Sequence, residues 1–165
     1  MKTKAYVNNK KMYEVLCAYL EECNKAEKEG KELPRIPEYI GACFLKIATN
    51  FASKPRFSGY SYTDEMINEA VLTCVTYVRR FNPEITHNPF AYFTQFVKNA
   101  FFQYIDIEQT HQYRKYLNSE ISYGNEPDEI ARDFVSNFEK LKQQKKEEAK
   151  ERALARANTV TSLYE

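Results

Sequence analysis

From Asp64 to Ile105 the chain reads DEMINEAVLTCVTYVRRF, then NPEITH, then NPFAYFTQFVKNAFFQYI. Two helices are predicted here. Asn82-Pro83 closes the first and Asn88-Pro89-Phe90 opens the second, because proline fits a helix's first turn but breaks its interior. At about 100° per residue, Phe90, Phe93, Val97, Phe101 and Tyr104 of the second helix fall in one stripe, the pattern of a helix seated on a core. The opposite side carries Tyr92, Gln95, Phe96, Asn99 and Gln103, with Lys98 nearby and no acid before Asp106. Rings stack on unpaired bases, and Asn and Gln amides bond both edge atoms of adenine, so this side has the composition of a nucleic-acid reader. Aromatics all round a helix also describe burial on two sides, the commoner case, and composition leaves both readings open.

The preceding helix opens on Thr63, Asp64 and Glu65, read as an N-cap with acids near the positive end of the helix dipole. Ile67, Ala70, Val71, Cys74 and Val78 form its core stripe. Met66, Leu72, Val75 and Tyr77 widen the apolar surface beyond what one core needs, which leaves a second side to be covered by something else.

The run Tyr92-Phe93-Thr94-Gln95-Phe96-Val97-Lys98-Asn99-Ala100-Phe101 resembles the melting and promoter-reading helix of bacterial RNA polymerase sigma factors, whose pattern is Tyr-Ala-Thr-aromatic-aromatic-Ile-Arg-Gln-Ala-Ile. Glu65-Met66-Ile67-Asn68-Glu69 through Tyr77-Val78-Arg79-Arg80-Phe81-Asn82 resembles that family's polymerase-binding helix, in the same order and at the same spacing. Within the family, the small size, the Phe-Asn-Pro and Asn-Pro-Phe-Ala-Tyr-Phe-Thr segments and the ending Thr-Ser-Leu-Tyr-Glu look most like the late-promoter sigma factors of T-even-type bacteriophages. The likeness covers residues 36–110 well and the last residues weakly.

The resemblance implies an initiation factor working in the cytoplasm of an infected bacterial host. Glu65, Asn68, Glu69 and Leu72 would meet a coiled-coil of the largest subunit of the host core RNA polymerase. Tyr92, Gln95, Phe96, Lys98, Asn99 and Gln103 would contact an AT-rich, TATA-like late promoter element. Leu163, Tyr164 and Glu165 would bind the phage DNA sliding clamp, and a separate phage co-activator is left open. Two departures matter. Gln95 stands where the first of two adjacent aromatics belongs, and no helix-turn-helix segment follows, so recognition of one short element is expected.

Composition bounds these expectations. The chain has 165 residues, 43% of them apolar, enough for one compact core plus an extension. A protein that binds DNA unaided usually carries a basic surplus, and the net charge here is +1. A larger partner supplying much of the phosphate contact suits that balance. Cys17, Cys23, Cys43 and Cys74 lack CxxC spacing and lie far from His87 and His111, so buried thiols are expected and a metal site is not. No nucleophile-and-base motif or glycine-rich phosphate loop is present, and the acids Asp64, Glu65 and Glu69 read as dipole and interface groups. Neither an enzyme nor a cofactor is expected, nor a membrane segment.

The remaining chain reads as further helices. Met12, Val15, Leu16, Tyr19, Leu20 and Cys23 recur at helical spacing before Gly30. Leu33 to Pro37 punctuates, and Tyr39, Ile40, Cys43, Phe44, Ile47, Ala48 and Phe51 mark a second helix. Ser53 to Tyr62 is expected as a loop, basic and aromatic at once. Lys54, Arg56 and Tyr60 there either track a single-stranded backbone or simply decorate a loop. Helix continues from Asp106 to Tyr116, and Asn118, Ser122, Gly124, Asn125 and Pro127 are expected to break it.

From Asp128 to Ala157 a glycine- and proline-free arm follows. Eight acids and eight bases cancel between Glu126 and Ala157. Ile130, Phe134, Phe138 and Leu141 are expected to seat its start, with the part beyond Gln143 projecting. The ending from Thr159 to Glu165 is either a docking peptide or an idle tail. The expected architecture is all-α: an amphipathic helix (1–34), a compact sigma-like helical domain (35–125), a long charged helical arm (126–157) and a tail (158–165).

Overall fold

The computed structural model describes residues 6–123 and 129–161, side chains of 119–123 and 156–161 excepted. Every regular element among the described residues is helical. These are α1 (Asn9–Lys28), α2 (Glu38–Ala52), α3 (Thr63–Tyr77), α4 (Pro89–Tyr123) and α5 (Glu129–Thr161), with 3-10 turns at Pro55–Phe57 and Val78–Arg80. The fold is all-α. Contacts divide the chain into two compact units, one ending at Ile105 and the other beginning at Asp106.

In the first unit, local chemistry sets the helix ends. The Asn8 side chain accepts from the Lys11 amide at 3.1 Å and caps α1. At the other end Gly30 adopts φ +66°, a left-handed conformation that glycine takes without a Cβ clash, and the Lys31 amide reaches back to the Ala26 carbonyl at 2.9 Å. Asn88 caps α4 by accepting from the Ala91 amide at 3.0 Å, and Pro89 fills the position whose N–H would have no partner. Asn9 accepts from the Phe90 amide at 3.0 Å, tying the start of α4 to α1.

The core of this unit is dominated by rings. Helix α2 packs on α1 and on α3, and α4 reaches the others through phenylalanines. Phe93 lies 4.6 Å from Phe44, and Phe101 lies 5.2 Å from both Phe51 and Phe57. Phe44, Phe57, Phe93 and Phe101 are all fully buried. Each such ring removes on the order of 150–250 Å² from water, so these four are a large part of the hydrophobic stabilisation.

Several expectations need correction here. Tyr62, not Thr63, precedes α3, and the Thr63 hydroxyl donates back to the Tyr60 carbonyl at 2.7 Å. Met66 is a fully buried core residue while Ile67 and Val71 are half-buried, because the stripe 66, 70, 74, 78 points most directly inward. On α4, Phe90 and Tyr104 are half-buried, and Ala100 and Ile105 complete the buried arc. The segment after α2 is not a plain loop: its 3-10 turn drives Phe57 into the core.

In the second unit, the later part of α4 pairs with α5. Tyr116 meets Phe134 (5.5 Å), Tyr113 stacks on Phe138 (4.8 Å), and Lys145 donates to Asp106 at 2.8 Å. Partner numbers rise on α5 as they fall on α4, so the two run antiparallel. Asn118 and Ser122 do not break α4, which continues to Tyr123; Asn and Ser each cost a helix at most about 0.7 kcal/mol relative to Ala. Ile130, expected to seat α5, is 75% exposed, and Ala131 is buried instead. The expected breakers Gly124, Asn125 and Pro127 lie outside the described residues. Residues 158–161 still belong to α5, and Leu163, Tyr164 and Glu165 lie outside the described residues.

Candidate nucleic-acid interface

The outer face of α4 separates its rings from its amides. Gln95, Lys98, Asn99 and Gln103 are exposed, whereas Tyr92 and Phe96 are half-buried. Phe96 stacks on Tyr77 of α3 (5.4 Å, 27°) and lies 5.0 Å from Tyr92, whose ring meets Phe81 edge-on at 5.2 Å. Aromatic pairs of this kind contribute about 0.5–1.5 kcal/mol beyond burial, so one side of each ring serves the fold. The packing expected of aromatics all round a helix is thus seen on one side of Tyr92 and Phe96. Burial pushes the Tyr92 phenol up, and the Arg80 guanidinium pulls against it.

The amides form a unit. Gln95 Nε2 donates to Asn99 Oδ1 at 2.9 Å, one helical turn apart. That bond uses neither the Asn99 NH₂ group nor the Gln95 carbonyl oxygen, a donor and an acceptor on two exposed residues. Between Pro89 and Ile105 the helix bears no carboxylate.

Two arginines mounted on rings flank the amides. Arg80 lies over Tyr77 at 4.7 Å, on the Phe96 side. Arg56 lies over Phe102 at 4.9 Å, and Phe102 is three residues beyond Asn99 on the adjoining edge. Lys98 sits one turn before Phe102. Lys54 is held over Phe51 at 4.0 Å. A cation above a ring is held at about 0.5–1 kcal/mol while its charge still faces solvent. Arg79, by contrast, is ion-paired with Glu27. The helical wheel alone could have found Phe102; Arg80 and Tyr77 needed the packing of α3 against α4.

No protein-family model and no curated protein matches this chain. The residues themselves therefore carry the functional reading.

On α3, Glu65, Asn68, Glu69 and Leu72 share one exposed face, with Leu72 58% and Val75 37% exposed. An apolar centre rimmed by acids and an amide is the composition of a protein contact. Elsewhere in the first unit a cavity of about 680 Å³ lies between α1 and the segment after α3. Glu21, Glu84 and Arg80 all line it, so it selects no ionic ligand by charge. Among the described residues no group of His, Cys, Asp and Glu is arranged to hold a metal ion, and no helix is long and apolar enough to cross a membrane.

Proposed function

We propose that this protein is a sigma-like transcription initiation factor. It binds a bacterial core RNA polymerase through the outer face of α3 and reads an AT-rich late promoter element through the outer face of α4. One observation carries the reading: an acid-free stretch of α4 whose exposed Gln95–Asn99 amide pair lies beside half-exposed rings, with ring-mounted arginines nearby. Amides supply base-edge hydrogen bonds, rings supply stacking, and cations supply phosphate contacts.

A base turned out of the duplex costs a few kcal/mol, and stacking on Tyr92 or Phe96 returns about 1–3 kcal/mol. AT steps open most cheaply, which favours a TATA-like element. Gln95 replaces a stacking ring by a hydrogen-bonding group, so the polymerase supplies more of the melting. Clamp coupling through Leu163, Tyr164 and Glu165, and residence in the cytoplasm of an infected host, belong to the same proposal.

Transcription by purified core polymerase on a supercoiled template with a TATA-like promoter tests it. Wild type directs accurate initiation. Asn99→Ala loses it by tenfold or more (about 1.4 kcal/mol or above) while still co-purifying with polymerase. The packing of Tyr92 and Phe96 against Tyr77 and Phe81 favours a second reading, a helical adaptor that binds polymerase without touching the promoter. Tight polymerase binding with no initiation would select the adaptor.

A further inference from the structure

The charges of α5 cancel when counted but not when placed on the helix. At about 100° per residue, Lys142, Lys146 and Lys150 fall within a third of a turn, one above the other at intervals of about 6 Å along the axis. Glu147, Glu148 and Glu151 fall on the opposite half, together with Lys140. All of these residues are exposed. Neighbouring cations are already engaged: Lys145 pairs with Asp106 at 2.8 Å and Arg152 with Glu148 at 3.3 Å. Lys142, Lys146 and Lys150 have no carboxylate partner among the described residues. With Tyr113 they line an open groove of about 440 Å³. Glu139 and Glu147 also border it, and the Glu139 carboxylate accepts the Tyr113 hydroxyl at 2.7 Å.

We propose that the Lys142–Lys146–Lys150 ladder binds the phosphate backbone of duplex DNA without regard to sequence. A straight row of ammonium groups suits a regular row of phosphates, and lysine acts on phosphate as a point charge needing no bidentate geometry. An acidic protein partner would call for an apolar anchor among the charges. Ala149 and Ala153 fill the spaces along this flank, and the exposed Leu154 continues the row one turn beyond Lys150, at its end and not between the lysines. The ladder gives a chain of near-zero net charge a localised cationic surface of its own. This proposal does not rest on promoter reading.

The test measures affinity of the full chain for a short random-sequence duplex by fluorescence anisotropy between about 50 and 200 mM salt. The triple variant K142Q/K146Q/K150Q should bind at least tenfold more weakly at the lowest salt. Its slope of log affinity against log salt should be shallower by about 2 to 3, as expected for three lost phosphate contacts. The triple arginine variant should bind as wild type does, and E147Q/E148Q/E151Q should lose nothing. Circular dichroism checks that each variant remains helical. A triple glutamine variant that keeps the wild-type slope overturns the proposal, as does wild type that fails to bind the duplex. So does a variant that loses only capture of polyglutamate. The random duplex carries no promoter element and no polymerase is present, so failure of the ladder and failure of promoter reading are separately visible.

Discussion

Cys74 shows how one side chain joins packing to pH dependence. Its thiol is fully buried between α3 and α4 and donates to the Phe93 carbonyl at 3.9 Å. Burial pushes it up to about 12 from an ordinary value of 9.0. An unfolded chain therefore releases this proton first as pH rises. The stabilisation is intact below about pH 9 and declines toward about 12. Tyr19, likewise pushed to about 12 by burial, contributes with the same sign. Thermal unfolding followed from neutral to strongly alkaline pH should show a falling midpoint above pH 9, with a shallower fall in Cys74→Ala. Thiol labelling of the native protein near neutral pH should modify half-buried Cys17 well before Cys23, Cys43 or Cys74. Equal rates at all four would contradict this packing.

Among the elements, α3 shows most clearly a helix with a buried side and an exposed apolar one. Its inner stripe holds the core, and its outer face leaves Leu72 more than half exposed. Leu72→Gln should therefore change stability by no more than about 0.5 kcal/mol while reducing co-purification with polymerase at least tenfold; a melting curve and a pull-down on the same preparation check both. Much of this was legible in the sequence. Asn88-Pro89 announced the start of α4, and Gly30 announced the end of α1. Three features were not. Phe57 sits in a 3-10 turn too short to show a period. Ile130 and Ala131 differ by one residue, a rotation of about 100°, and size favours the larger side chain as the anchor although the smaller one is buried. Arg80 and Tyr77 join the candidate interface through the packing of α3 against α4, which no single helix period reports.

For the whole molecule, burial is uneven between the two units. All the buried apolar residues among those described, except Ala131, lie between Val7 and Ile105. A chain ending at Asn118 should therefore keep the unfolding transition of the first unit within about 5 °C, equivalent to roughly 1 kcal/mol for a domain of this size. Scanning calorimetry measures it, and a much larger fall would mean that the second unit supports the core. The Phe57 anchor bears on protease digestion as well. Lys54 and Arg56 stand exposed where trypsin would be expected to cut, but Pro55 blocks cleavage after Lys54. Cleavage after Arg56 requires the Phe57 backbone to leave its seat against Phe51 and Phe101. The exposed lysines of α5 carry no such lock, so brief digestion should cut the charged arm before it cuts after Arg56.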